Sequence, residues 1–448
     1  NRAIGRPGCL HGHEPMRRIR SIHSSRLHSN AISKKTLNRF LPRHRLRIAS
    51  HSKTFTAAGV LLLREQGQVG LDDPIGRYVD GLHKDLARAR IGELLSHSAG
   101  VTRDGPDAGQ FLDRRPFLSR AELLADLRAK PPLEAGVQLK YSNHGYGLLG
   151  LMMEQVTGTD YATWMQRHVI AAAGLEETAP DMPHLPRRVP LAVGHSSEFP
   201  FGQRLIVPGH NPCDAMAPAA GFVSTASDVA RFFSQLAPDS PQSILSPASR
   251  REMAQRRWRD PCNLFESHYG LGAMLSAPGP REWTGHTGSL QGFLSRTARY
   301  PALDLTVTVL TNAQDGLSTE WVEGIASILF AFQQHGAPGK KEAAWAGRWW
   351  SLWGASDLVP MGKVVCQVAP AMFVPFNAAT TELVVTGRDT GVVQKASAYA
   401  SPGQPVRRVR DASGTPTELW VGGTQLLPKD AMLAEATRRY HKARNAPR

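Results

Sequence analysis

Residues 47–66 read RIASHSKTFTAAGVLLLREQ, and the fold of the chain is decided by how this stretch is read. Phe55, Ala58, Leu62 and Leu63 recur at helical spacing, and Val60 and Leu61 fill the gaps between them. The pattern predicts a helix that is apolar on nearly all sides, and such a helix must be buried. Just before the apolar run stands Ser50-His51-Ser52-Lys53. A spacing of three puts the Ser50 hydroxyl and the Lys53 amine on one face of the first turn. Burying an ammonium lowers its pKa, and an amine that shares its proton can act on a neighbouring hydroxyl. The free N–H groups of a helix N-terminus can also hold an oxyanion. A Ser-x-x-Lys recurs by chance in chains of this length, so it gains weight only from other segments.

Working outward, the downstream text is punctuated by helix signals. Asp73 can cap and Pro74 can occupy a first helical position. Residues 91–98 predict a short helix ended by Gly100. Ser119 and Glu122 form a capping box for a helix to about residue 130. Tyr141-Ser142-Asn143 precedes a helix over 144–156 that Gly158 stops. Asp160 caps the next, to about residue 173, and Thr225 with Asp228 opens another to about 236. Residues 175–220 are rich in Pro and His and show little periodicity; long irregular stretches often line sites.

From residue 269 the pattern changes to strands, at 269–275, 292–300 and 305–311, and an amphipathic helix over 321–333 follows. Helices in the middle and an antiparallel sheet assembled late indicate an α+β class. Past residue 340 the text is mostly strands (364–368, 382–386, 392–396, 406–410 and 418–421), a small all-β domain of barrel or sandwich type.

The chain has 448 residues and a net charge of +15. Its first 47 residues hold twelve Lys/Arg against the single acid Glu14 and account for +11 of that, leaving +4 for the rest. The body is close to neutral, so charge indicates no nucleic-acid-binding face. No run of about 18 apolar residues marks a transmembrane helix. Cys9, Cys213, Cys262 and Cys366 are scattered without a Cys-x-x-Cys pair, which argues against a zinc site or a redox dithiol. Residues 1–46, rich in Arg, His and Ser, read as a disordered basic arm. They faintly resemble a transit peptide and lack the apolar core of a secretory signal. His11, His13 and Glu14 have no further ligand in register, so a polar tail is the better reading than a metal site.

Three clusters carry the chemistry: Ser50 with Lys53, Tyr141-Ser142-Asn143, and His286-Thr287-Gly288-Ser289. Each has an ordinary explanation alone. Tyr141 could be an interfacial aromatic, Asn143 a helix cap and His286 a loop histidine. Together with Leu71-Asp72-Asp73-Pro74, Leu94-Leu95-Ser96-His97-Ser98-Ala99-Gly100 and Ala220-Gly221-Phe222-Val223-Ser224-Thr225, their order resembles that of class C β-lactamases and related serine hydrolases. Tyr141-Ser142-Asn143 is similar to the family's Tyr-x-Asn, and Gly285-His286-Thr287-Gly288 stands where Lys-Thr-Gly is expected. The resemblance implies a β-lactamase/transpeptidase-like antiparallel sheet flanked by helices over 47–335, and a barrel-like domain over 343–430. It implies that Ser50 attacks a carbonyl and that Lys53 and Tyr141 share the proton work, Tyr141 as a base if cations lower its pKa. Asn143 would hold Lys53 and the substrate amide, and the N–H groups of Ser50 and Ser289 would bind the oxyanion. No metal or organic cofactor is implied.

Departures qualify the resemblance. His286 in place of lysine makes the charge at that point pH-dependent, and the His-x-Gly variant goes with esterases and D-amino-acid peptidases. The expectation is therefore a serine hydrolase of small esters, amides or D-amino-acid peptides with weak or no β-lactamase activity. The rival reading is a penicillin-binding-like receptor or an inactive pseudo-enzyme. The family's opening apolar strands are not readable in 1–46. An aberrant gene start would leave an exposed sheet edge and impair activity. Without a readable signal peptide a cytoplasmic place is favoured, or a periplasmic or secreted one if that start is aberrant. Trp349, Trp350 and Trp353 are expected to fill the core of the last domain.

Overall fold

The computed structural model describes residues 41–182, 190–199, 202–262 and 266–440. Helix α1 (Ser52–Glu65) runs through the larger core, with Phe55, Ala57, Ala58, Val60, Leu61 and Leu63 all withdrawn from solvent. The Phe55 ring stacks on Phe232 and Phe222, at 4.0 and 4.7 Å between centroids. This is the burial that an all-round apolar helix demands. Helix α2 (Asn143–Thr157) packs beside it.

The capping signals hold where a side-chain oxygen meets a free N–H. Ser142 Oγ accepts from the Gly145 N–H at 2.8 Å, and Gly158 ends α2 at φ +63°. Ser119 and Glu122 bond reciprocally, and Thr225 accepts from the Asp228 N–H ahead of α3 (Ala226–Gln235). Asp73 does something else. Its carboxylate ties Gly70 N–H and Tyr78 OH, and Pro74 precedes only a 3-10 turn, Ile75–Arg77. The helix capped by Asp160 widens after Met165 into a π-helical turn, Gln166–Ala171.

The central sheet is antiparallel and built from β1 (Trp258–Arg259), β2 (Ser267–Tyr269), β3 (Met274–Ser276), β4 (Thr284–Leu290), β5 (Phe293–Tyr300) and β6 (Leu305–Thr311), in the order β6-β5-β4-β3-β2-β1. The expected single strand over 269–275 is two strands and a turn. Gly270 lies so close to the Met253 carbonyl that a Cβ would stand 2.3 Å from its oxygen, and Gly272 turns the chain at φ +70°. Residues pointing to opposite faces alternate along β5. Ala298 and Tyr300 meet Val322, Ala326 and Phe330 of α4 (Ser318–His335), while Ser295 and Thr297 face His51. Among the described residues β6 pairs only with β5 and forms one edge of the sheet.

The remaining strands, β7 (Gly347–Ser351), β8 (Gly354–Met361), β9 (Val364–Val368), β10 (Thr381–Val385), β11 (Thr390–Lys395), β12 (Pro405–Arg410), β13 (Pro416–Val421) and β14 (Thr424–Leu426), form an eight-stranded antiparallel sheet in sequence order. Reciprocal 2.8 Å bonds between Trp350 and Leu427 draw its two ends together into a nearly closed barrel. Trp345 and Trp349 fill its core with Val365, Val393 and Leu419. Trp353 does not: it is 95% exposed on the β7–β8 turn, and Trp350 is only half-buried. Strands β7, β8 and β14 and the last helix, Lys429–Tyr440, were not foreseen from sequence.

Cys9, His11, His13 and Glu14 lie outside the described residues. The end of the basic segment, expected to be disordered, is built into the fold. Arg45 is buried against Glu177, and Leu46–Arg47 pairs with Val223–Ser224. Cys213, Cys262 and Cys366 are free thiols. Among the described residues no helix is long and apolar enough to cross a membrane.

Candidate active site

Between the strand Leu46–Arg47 and α1 the chain makes a 3-10 turn, Ala49–His51, with Ala49 in the left-handed region at φ +50°. A non-glycine residue there stores of order 1–2 kcal/mol, so the surroundings must hold it. Ser52 Oγ donates to the Ala49 carbonyl at 2.5 Å and accepts from the Phe222 N–H at 3.0 Å. Ser295 Oγ donates to the Ile48 carbonyl and lies within hydrogen-bond reach of His51 Nδ1, each at 3.0 Å, and His51 Nε2 meets Thr297 Oγ1 at 2.9 Å. The result is a half-buried Ser50 between buried neighbours, facing an open cavity of about 560 Å³.

Lys53 is fully buried. Its Nζ lies 3.1 Å from Ser50 Oγ, 2.7 Å from Asn143 Oδ1 and 2.8 Å from the Ala219 carbonyl. Both carbonyl oxygens can only accept. A neutral amine has two N–H bonds for them and one lone pair left for the Ser50 hydroxyl. An ammonium places its third proton in the same direction. One geometry thus serves both protonation states. Burial pushes the Lys53 pKa well below its ordinary value; the Asp104 charge opposes this and Arg103 adds to it.

Asn143 is free for this role because Ser142, not Asn143, caps α2. Its Nδ2 donates to Asp104 Oδ1 at 2.6 Å, which leaves Oδ1 toward Lys53 and settles the amide orientation. Asp104 is in turn paired with Arg103 at 2.9 Å.

Tyr141 lies over Lys53, with Nζ 4.7 Å from the ring centroid, and lines the cavity beside Ser50. Burial raises the phenol pKa further than Ser50 and Arg103 lower it. Tyr141 is therefore a protonated phenol at neutral pH. The condition attached to Tyr141 as a base, that nearby cations lower its pKa below the ordinary value, is not met.

His286 is on β4 and is 1% exposed. Its Nε2 lies 2.9 Å from Tyr269 OH and its Nδ1 2.6 Å from the Thr287 carbonyl, so Nδ1 carries the proton and Nε2 accepts. Burial first, with Lys53 and Arg296 adding to it, holds its pKa at about 3. The site therefore has no charge here that switches near neutral pH, contrary to the expectation from sequence. Thr287, Gly288 and Ser289 also line the cavity, and Gln314 Nε2 donates to Ser289 Oγ at 2.9 Å.

The three clusters singled out from sequence are thus brought together. Sequence reasoning missed Arg103, Asp104, Ala219, His51 and Ser295. Ala219 directly precedes a quoted segment, and Arg103 and Asp104 follow the Gly100 stop, but no pattern in the residues themselves marks them.

A sequence profile of the Beta-lactamase family matches residues 31–327. The chain belongs to the β-lactamase family. Among curated members it is 27% identical over 298 residues to penicillin-binding protein 4* of Bacillus subtilis (strain 168), and spans 62% of that protein's length. A D-amino acid amidase from Ochrobactrum anthropi SV3, solved with D-phenylalanine, is 25% identical; the match covers 61% of this chain and 79% of that one at a TM-score of 0.52. The octameric penicillin-binding protein homologue from Pyrococcus abyssi is 20% identical and aligns over 86% of this β-lactamase-family chain and 89% of its own, at a TM-score of 0.57. That likeness extends the shared fold beyond the region the family profile matches.

Proposed function

We propose that this chain is a serine hydrolase that works through an acyl-enzyme on a small ester or amide, including amides of D-amino acids, with weak or no β-lactamase activity. The observation that carries the reading is the Lys53 amine, held by two carbonyls and directed at Ser50 Oγ 3.1 Å away. Neutral Lys53 takes the Ser50 proton as Oγ attacks the substrate carbonyl. The N–H groups of Ser50 and Ser289 receive the oxyanion, each such donor being worth about 3 kcal/mol. The protonated Tyr141 gives its proton to the departing alcohol or amine, and the proton that Lys53 took from Ser50 restores the phenol and leaves the amine neutral. Water then releases the acyl group by the same route in reverse.

The amide class is supported by the D-amino acid amidase relative. Weak β-lactamase activity is supported by His286, which is neutral where the resemblance calls for a lysine. The rival reading, a receptor that acylates without turnover, draws on the penicillin-binding relative.

The test is a panel of p-nitrophenyl esters, D-amino-acid anilides and nitrocefin, beside Ser50→Ala. A burst of nitrophenol followed by steady turnover is expected, with a loss of at least about 10³-fold in the variant. Turnover unchanged in Ser50→Ala would sink the reading. A burst without turnover would favour the receptor, and rapid nitrocefin hydrolysis would overturn the substrate class.

A further inference from the structure

His97 belongs to none of the roles above and does not line the cavity, yet it touches the Tyr141 ring and bonds to the residues before and after it. It follows the short helix Ile91–Leu95 and sits in the left-handed region at φ +59°. It is 2% exposed. Its carbonyl accepts from the Lys140 N–H at 2.6 Å, and its Nδ1 accepts from the Ser142 N–H at 3.2 Å. The residues on both sides of Tyr141 therefore hang from one histidine. Its ring also lies against the Tyr141 ring, 4.1 Å between centroids, and 4.6 Å from that of Tyr269.

The backbone donor dictates the tautomer: Nδ1 must be bare, and the proton sits on Nε2. That Nε2 is buried and has no hydrogen-bond partner among the described residues. An orphaned polar atom costs about 1–3 kcal/mol. A residue that only filled space would avoid this by being apolar. What a histidine adds over phenylalanine is an acceptor at the ring position that reaches the Ser142 N–H. What it adds over asparagine is a flat face for the tyrosine.

We propose that His97 is a positioning residue that clamps Tyr141 from both sides and by its ring, so that the phenol stays aimed at Ser50. Lys53, Arg103 and His286 all face it, and together with burial they keep the imidazole neutral, so it moves no proton itself. The proposal rests on the reading of Tyr141 as proton carrier.

The experiment is a double-mutant cycle, read both as ester turnover and as the rate at which a fluorophosphonate labels Ser50. His97→Asn keeps an acceptor and tolerates a positive φ but loses the ring face; His97→Phe keeps the face and loses the acceptor. Each is expected to lower kcat roughly tenfold to a hundredfold, the scale of a small misplacement, with KM within about threefold. In a Tyr141→Phe background neither should cost anything more. Folded single variants with kcat within twofold of the parent overturn the proposal, and so do losses that multiply in the double variants. Should Tyr141→Phe itself act like the parent, the tyrosine's role is what fails. If the His97 variants do not fold, nitrogen-15 histidine spectra of the parent protein decide. A neutral Nε2–H imidazole from pH 5 to 8 is expected, and an Nδ1–H form would exclude the bond to Ser142.

Discussion

Gly288→Ala adds one methyl group where β4 packs against the turn that carries Ser50. A Cβ at this position would stand 2.3 Å from the Ile48 carbonyl oxygen, 2.3 Å from Ser295 Oγ and 3.1 Å from Ala49 Cβ. Ordinary carbon–oxygen contacts begin near ~3.3 Å, so about 1 Å must be found. Neither oxygen is free to retreat. Ser295 Oγ bridges the Ile48 carbonyl and His51 Nδ1 at 3.0 Å each, and that bridge holds the Ala49–His51 turn to β5. The displacement therefore passes either to the turn carrying Ser50 or to the strand carrying Thr287 and Ser289. Overpacking of this kind costs about 1–3 kcal/mol, a fall of roughly 3–10 °C in Tm for a domain of this size. An ångström at the reacting atoms is worth about a hundredfold in rate. The assay is kcat/KM on a p-nitrophenyl ester at 25 °C, well below the unfolding midpoint, beside Gly347→Ala in β7, where the nearest atom is 3.5 Å away and no change is expected. A folded Gly288→Ala protein with kcat/KM within twofold of the parent would refute the reasoning that ties the packing of β4 on the Ser50 turn to the proposed attack by Ser50.

Asp104→Asn keeps an acceptor for Asn143 but removes the charge that favours the Lys53 ammonium. Since the proposed reaction needs the neutral amine, the acid limb of kcat/KM should move to lower pH; a limb that stays or rises contradicts the proposal of Lys53 as base. Tyr141→Phe should lower kcat by about 10²–10⁴-fold, the usual contribution of a positioned acid, with the loss greatest for substrates whose leaving group is a poor one; equal losses for good and poor leaving groups would argue against proton donation. Acid should destabilise the fold through His51, His97 and His286, each of whose pKa values burial holds below the unfolded value. Their contribution is fully present above about pH 6.5 and is lost as pH falls toward the folded values. A Tm flat from pH 8 to 4, or one no less acid-sensitive in His286→Gln, would count against neutral buried imidazoles. Ser142→Ala removes the cap of α2 together with the Ser142 Oγ bond to the Thr102 carbonyl at 2.6 Å, and should cost about 1–2 kcal/mol in denaturant midpoint analysis.

Much of the fold was legible because its signals are local. The burial of α1 follows from the all-round apolar run at 55–63, and the start of α3 follows from Thr225, whose oxygen reaches an N–H three residues on, whereas the cap of α2 is Ser142 and not the Asn143 that the sequence offered. The failures were also local readings, undone by distant atoms. The run at 269–275 looks like one strand until the Met253 carbonyl crowds Gly270. Trp353 looks like core until the β7–β8 turn carries it into solvent.

By itself the sequence determined which side chains could do acyl chemistry, in what order they come, and that Ser50 and Lys53 share a face, since a helical turn converts spacing into proximity. Protonation was decided only by the tertiary structure. Whether Tyr141 is phenol or phenolate, whether His286 switches with pH, and which way the Asn143 amide points depend on burial and on partners such as Asp104, Arg103 and Ala219. Electrostatic energies sum over everything packed nearby, and packing brings together residues that lie far apart along the chain.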